Sequence, residues 1–170
     1  MKICIVSDSH DASAMLAAAV ERARDAGAQA VLHCGDVIGP DALRAALRVG
    51  LPMHVVHGNN LGDVVVLARM AAASGGRLTY HGSDAALALG GRRLFMIHYP
   101  HRARGAAATG DYAAVFCGHS HAASVERVAN VRGGHTWLVN PGTVAGIGAP
   151  ATFALGDLAT LAFNIEPLGA

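Results

Sequence analysis

The sequence predicts an α/β domain built on two sheets, and three observations carry that expectation. Apolar residues make up 52% of the 170 residues and charged residues only 15%, a balance that excludes a disordered chain and demands an extensive core. The first half repeats strand, loop and helix, the order expected of a parallel sheet covered on its faces. After Arg77 the pattern changes to short strands paired about glycine turns. A chain of this length buries about two thirds of its unfolded surface. No linker separates its halves, so a single domain over residues 1–170 is expected.

The elements follow in order. Residues 2–6 are β-branched and apolar and run into Ser7-Asp8, as a buried strand feeding a loop would. Residues 12–26 are alanine-rich, with Met15, Leu16, Ala19 and Val20 at helical spacing and Gly27 as the stop. A second strand, 30–33, closes on Cys34-Gly35-Asp36, and a helix over 41–49 follows that Asp41 can cap. A third strand, 53–56, ends in His57-Gly58-Asn59-Asn60; the next helix, 61–74, is ended by Gly75-Gly76. Residues 85–89 and 92–97 flank Gly90-Gly91 as a hairpin, and 115–117 is a short strand before Gly118-His119-Ser120-His121. Two more hairpins are expected, 124–131 with 135–139 and 152–157 with 161–166; residues 99–109 and 144–150 read as loops.

Composition narrows the function classes. Thirteen basic against twelve acidic residues leave a net charge of +1, so no strong field selects nucleic acid or an acidic membrane. Aromatic residues amount to 5%, too few for a base-stacking platform, which argues against a nuclease. The apolar stretch 143–163 is broken by Gly146, Gly148, Pro150 and Asp157, so no bilayer span is expected. Three cysteines cannot pair completely, and Met-Lys-Ile-Cys-Ile-Val leads into a strand, not a secretory signal; both point to the reducing cytoplasm. A homo-oligomer is compatible with this composition.

The surplus of ten histidines over one lysine sits where the strands end. Those ends carry Asp8-Ser9-His10, Gly35-Asp36, Gly58-Asn59, Ile97-His98 and Gly118-His119-Ser120-His121. Loops at the carboxyl ends of parallel strands converge on one crevice, so these groups can meet although they span over a hundred residues. The glycines before Asp36, Asn59 and His119 are expected to make the sharp turns that aim the next side chain inward. Carboxylate and amide oxygen with imidazole nitrogen, and no thiolate, suits Mn, Fe, Co, Ni or Zn. Seven such groups exceed what one ion with an open position needs; they suit two ions about 3.5–4 Å apart if one carboxylate is shared. The other polar residues read more plainly. His33, His54 and His57 lie in or beside strands as structural groups, while His81 and His135 face solvent. Cys4, Cys34 and Cys117 are core thiols, and Arg92 and Arg93 are exposed charge. His101 can face the site, and Arg102 with Arg104 forms either a phosphate-reading patch or a solvated loop.

Asp8-x-His10, Gly35-Asp36, Gly58-Asn59, His98 and Gly118-His119-x-His121 together resemble the calcineurin-like metallophosphoesterases. Asn140-Pro141-Gly142-Thr143 resembles the Asn-Pro-Gly-Ser of their small bacterial and archaeal phosphodiesterase branch. The resemblance covers essentially the whole chain. It implies a four-layer αββα sandwich of two mixed β-sheets flanked by helices, and hydrolysis of a small phosphoester, a diester in preference, by a hydroxide bridging two metals. By motif match one divalent ion takes Asp8, His10, Asp36 and His121, and the other takes Asp36, Asn59, His98 and His119, with Asp36 the bridge. Manganese leads as the metal, with iron, zinc, nickel or cobalt as alternatives. Two departures stand out. Asn60 occupies the place where many relatives carry a histidine, and an amide cannot supply a proton. Tyr99-Pro100 follows His98 where relatives often carry glycine and a polar residue, which alters the pocket wall. Asn60 and His101 are therefore the candidate catalytic groups, and Asn60 and Arg102 the candidate substrate contacts. The rival expectation is a protein-binding scaffold on the same fold, as in the retromer subunit that resembles this branch; the complete set of seven favours an enzyme.

Overall fold

The computed structural model describes residues 1–169. Eleven strands and four α-helices alternate in the order β1 (Lys2–Val6), α1 (Ser13–Asp25), β2 (Ala28–His33), α2 (Leu43–Arg48), β3 (Met53–Val55), α3 (Val64–Ala73), β4 (Leu78–Tyr80), β5 (Asp84–Leu89), β6 (Arg92–Ile97), α4 (Pro100–Ala108), β7 (Ala114–Phe116), β8 (Ser124–Ala129), β9 (His135–Asn140), β10 (Thr152–Asp157) and β11 (Ala162–Pro167). They form a six-stranded sheet, β11-β10-β1-β2-β3-β4, and a five-stranded sheet, β5-β6-β7-β9-β8. Both are mixed: β1 to β4 run parallel, as do β6, β7 and β9, with antiparallel strands at the borders.

The period-two alternation of strand side chains builds the layers. In β1, Cys4 and Val6 face the helices, packing with Leu16, Ala19, Val20 and Ala23 of α1, Leu43 and Ala46 of α2, and Leu67 of α3. Ile3 and Ile5 point the other way and meet Leu94, Met96, Phe116 and Val139 of the second sheet. On that sheet's far face Ala103 and Ala107 of α4 pack on Ile97, Val115, Cys117 and Leu138. Helices, sheet, sheet and helix make the expected four-layer αββα sandwich. All three cysteines are buried and free, and burial pushes their thiols up, Cys117 to about 12. Among the described residues no helix is long and apolar enough to cross a membrane.

Three local expectations are corrected, and one strand is added. Residues 99–109 are not a loop but hold α4, opened by Pro100 in its first turn. Its inward face is alanine alone, so it leaves almost no hydrophobic period to read. The three-residue edge strand β4 had no signal of its own. Asp41 does not cap a helix. Pro40–Ala42 form a 3-10 turn, and the Asp41 carboxylate accepts from Arg44 Nε at 2.6 Å. Asp63 caps α3 by accepting from the Val66 amide at 2.9 Å, which starts that helix at Val64 instead of Leu61. Asp63→Ala should therefore cost about 1 kcal/mol in urea unfolding, with activity retained. The last hairpin, β10-β11, returns to the first sheet, where β10 pairs with β1.

Candidate metal centre

Parallel pairing brings the carboxyl ends of β1, β2 and β3 and of β6, β7 and β9 to one rim. Backbone hydrogen bonds then tie the loops together: Asp8 N–H to the Gly35 carbonyl (3.0 Å), His10 N–H to the Asp36 carbonyl (2.8 Å) and Gly118 N–H to the His98 carbonyl (2.9 Å). Asn140 at the end of β9 donates to the Gly118 carbonyl (2.9 Å), and Thr143 Oγ1 donates to the Asp8 carbonyl (3.0 Å). The Asn-Pro-Gly-Thr segment thus fastens the Asp8 loop to the His119 loop.

The turns fall on the candidate ligands themselves. Asp8, His10, Asp36, His119 and His121 all have left-handed backbone, with φ of 51, 46, 57, 67 and 57°. Each such residue carries about 1 kcal/mol or more of strain, and strain concentrated this way is typical of functional sites. Only Gly35 of the three preceding glycines needs positive φ, at 111°. Gly58 and Gly118 serve by lacking a side chain: a Cβ would land on Asp36 Oδ1 at the first and on Ser7 Oγ at the second.

Two clusters of ligand atoms result, Asp8 with His10 and His121, and Asp8 with Asp36 and His98, the atoms of each within 4.8 Å of one another. His121 Nε2 lies 3.3 Å from Asp8 Oδ1, and His98 Nε2 lies 4.0 Å from the same oxygen and 3.4 Å from Asp36 Oδ1. Asn59 Oδ1 sits 3.1 Å from His98 Nε2 and 2.8 Å from His119 Nδ1. All seven residues therefore gather at one rim, with Asp8 common to both clusters where the motif match has Asp36 at the bridge. The buried carboxylates and His98 form the floor, and exposed Asn59 and His119 open it to solvent.

The donor set fits divalent cations. Asp8 is 0% and Asp36 2% exposed, yet neither meets a lysine or arginine. Asp8 Oδ1 and His10 Nε2 are buried and without a hydrogen-bond partner. Buried charges are ordinarily paired or bound to metal, and two uncompensated carboxylates side by side are costly. The imidazoles are set for coordination. His98 Nδ1–H donates to the Cys34 carbonyl (2.8 Å) and His121 Nδ1–H to the Ile147 carbonyl (2.6 Å), which leaves both Nε2 lone pairs bare. A bare His98 Nε2 faces the Asn59 carbonyl oxygen, two acceptors that a shared cation would reconcile.

The family model for the calcineurin-like phosphoesterase superfamily domain matches residues 1–161. The chain belongs to that superfamily. Solved structures of similar fold include an archaeal phosphodiesterase (TM-score 0.88, 22% identity, 98% of this chain and 99% of that one). Others are Yfce, a phosphoesterase from E. coli (TM-score 0.67, 19%, 99% and 100%), and Vps29 from Entamoeba histolytica (TM-score 0.60, 18%, 98% and 97%). No curated protein matches the chain by sequence.

Asn60, exposed at the rim, is tied to Asp36. Its backbone N–H donates to Asp36 Oδ1 (2.9 Å) and its Nδ2 donates to Asp36 Oδ2 (2.5 Å), so it clamps the carboxylate at both oxygens. Asn60→Ala keeps the backbone bond and loses the side-chain one. Metal affinity should fall about tenfold in a competition titration, the lower end of what outer partners of a metal ligand contribute.

The remaining candidates are placed as follows. His101 is exposed in the first turn of α4, its ring 5.8 Å from that of Tyr99. Arg102 lies over the Tyr99 ring at 5.4 Å, and Tyr99 in turn meets His98 and His119 edge-on at 5.3 and 5.1 Å. Arg104 pairs with Glu126, and Arg92 reaches the Leu158 carbonyl at 3.0 Å. His81 is half-buried, not solvent-facing, and shares a 3.0 Å hydrogen bond with His54; His135 is exposed. His33 is more than a strand residue. Its Nδ1 accepts from Gly35 N–H (3.2 Å), so Nε2–H donates to Ser9 Oγ (2.8 Å), splinting the loops that carry Asp8 and Asp36. Burial, followed by the neighbouring His98, pushes its pKa down to about 3.

Proposed function

We propose that this calcineurin-like phosphoesterase is a hydrolase of phosphoric esters, diesters before monoesters, working at a pair of divalent cations. The observation that supports it most is the pair of buried carboxylates, Asp8 and Asp36, without a cationic partner, ringed by bare imidazole nitrogens. Asp8, His10, Asp36, Asn59, His98, His119 and His121 are the ligands in this reading. Such a cation pair, when bound, supplies activated water near neutral pH and neutralises charge on the phosphoryl oxygens. The chain's residues then bind and orient. A cavity of about 340 Å³ beside Asn59, lined by His57, Leu61, Tyr99 and Arg102, takes the organic part of the ester. Arg102 sits at its edge as a phosphate contact. Asn60 is held on Asp36 and has no proton to give, and among the described residues His101 has no side-chain hydrogen bond that would orient it as an acid. Esters with poor leaving groups therefore react least, and diesters with good leaving groups most. Manganese is the first metal to supply, and the three buried free thiols fit the cytoplasm as the place of action.

Purified protein should bind Mn²⁺ and hydrolyse bis(p-nitrophenyl) phosphate, with much slower turnover of alkyl monoesters; metal removal should stop the reaction and re-addition restore it. Tight metal binding without turnover on a panel of monoesters, cyclic nucleotides and diesters would transfer the assignment to a protein-binding scaffold.

A further inference from the structure

On the outer side of the first sheet, α2 and α3 bound a groove of about 480 Å³ that shares no residue with the metal centre. Leu47, Val66, Met70 and Ala73 form its apolar floor, and Arg44, Arg48, Arg69 and Arg77 stand around it with no acidic residue in the lining. In a chain of net charge +1 this is a local concentration of cations.

What distinguishes the groove is which arginines lack partners. Elsewhere Arg24, Arg104 and Arg132 hold carboxylates, Arg22 and Arg92 hold carbonyls, and Arg93, Arg102 and Arg127 lie over aromatic rings. Within the groove Arg44 is paired with Asp41, and Arg77 donates to the Ser74 carbonyl. Arg48 and Arg69, among the described residues, have neither ion pair, hydrogen bond nor aromatic partner, and both line this one groove. Arg48 lies in the last turn of α2, where the helix dipole favours a cation; Arg69 is inside α3 and has no such reason.

We infer that the groove is a second binding site, for an organic anion with a hydrophobic body: a phosphate, sulfonate or carboxylate head between Arg48 and Arg69 and an apolar portion on Leu47, Val66 and Met70. Two guanidinium forks provide the geometry that selects oxyanions. The volume lies in the range of small-molecule sites, and an apolar lining with a few convergent charges is their usual make-up. From Val66 to Ala73 the floor runs roughly 10 Å at 1.5 Å per residue, which suits a medium-length alkyl chain or a fused-ring body. An inorganic anion would leave that floor in water.

Octanesulfonate, which a phosphoesterase cannot hydrolyse, is the probe. Titrated into ¹⁵N-labelled protein, it should give saturable amide shifts confined to residues 44–48 and 66–77. Sulfate and the uncharged octyl glucoside should each bind at least tenfold more weakly. The exposed Arg48→Gln/Arg69→Gln double variant should lose tenfold or more for octanesulfonate, with spectral dispersion and metal content unchanged. Shifts absent from the groove, equal affinity for sulfate, or undiminished binding by the double variant would overturn the assignment. So would a dimer in sedimentation that the double variant abolishes, since the groove would then be a contact between copies.

Discussion

Asp36→Asn is expected to abolish hydrolysis of an aryl phosphodiester, a loss of a thousandfold or more, and to reduce metal uptake. The magnitude follows from what the carboxylate does. Asp36 is buried beside His98, and the amide that replaces it keeps the shape but removes one of two negative charges in a region otherwise short of them. Cation binding there loses its largest Coulombic term, and the several kcal/mol of transition-state stabilisation that bound cations supply goes with it, each 1.4 kcal/mol being tenfold in rate. Asp8→Asn should be as damaging, because Asp8 belongs to both ligand clusters. Metal content by elemental analysis and turnover of bis(p-nitrophenyl) phosphate give the answer; unchanged turnover in Asp36→Asn would end the hydrolytic reading. Circular dichroism guards against misfolding, and relief of the repulsion between the two carboxylates should leave the metal-free variant at least as stable as the parent.

The second large effect is on stability against acid, and it concerns His33. Its folded-state pKa of about 3 lies below the 6.5 of an unfolded chain, because the buried ring cannot be charged cheaply and its Nδ1 is already committed to Gly35 N–H. The neutral form is favoured by the fold, so this contribution is complete above pH 6.5 and is lost as pH falls from there toward 3, at about 1.4 kcal/mol per pH unit. Metal-free protein should unfold in urea at progressively lower midpoints across that interval. His33→Gln, which has no titrating ring, should show a slope shallower by one proton. Equal slopes for the two proteins would mean that His33 does not set the acid sensitivity.

The chemistry of the rim was legible because it is written in residue type. Aspartate, asparagine and histidine after five separate apolar runs cannot be explained by packing, and their order matches one superfamily along the chain. Every strand but β4 was legible for a similar reason, as a short apolar or alternating run, with Gly90-Gly91 and Gly133-Gly134 marking two of the hairpins. Helix α4 was not, since Ala103 and Ala107 carry its entire buried face and alanine contrasts weakly with its neighbours. The role of Asn60 was also hidden: position after Gly58-Asn59 suggested a substrate contact, and nothing local reveals that Asp36, twenty-four residues earlier, is its partner. His33 looked like any strand histidine until its two ring nitrogens were seen to join the Asp8 and Asp36 loops.

Residue type and spacing therefore specified the fold family and the set of candidate ligand side chains, because both depend on local apolar patterning and on donor chemistry that no other arrangement of the chain would require. Three-dimensional packing specified how those side chains are used: which carboxylate lies in both clusters, which imidazole nitrogen is bare, which glycines stand aside for Asp36 and Ser7, and which arginines remain without partners. Those properties arise from contacts between segments far apart in the chain, where a few ångströms decide whether a group is paired, and such distances exist only once both sheets have closed on their common rim.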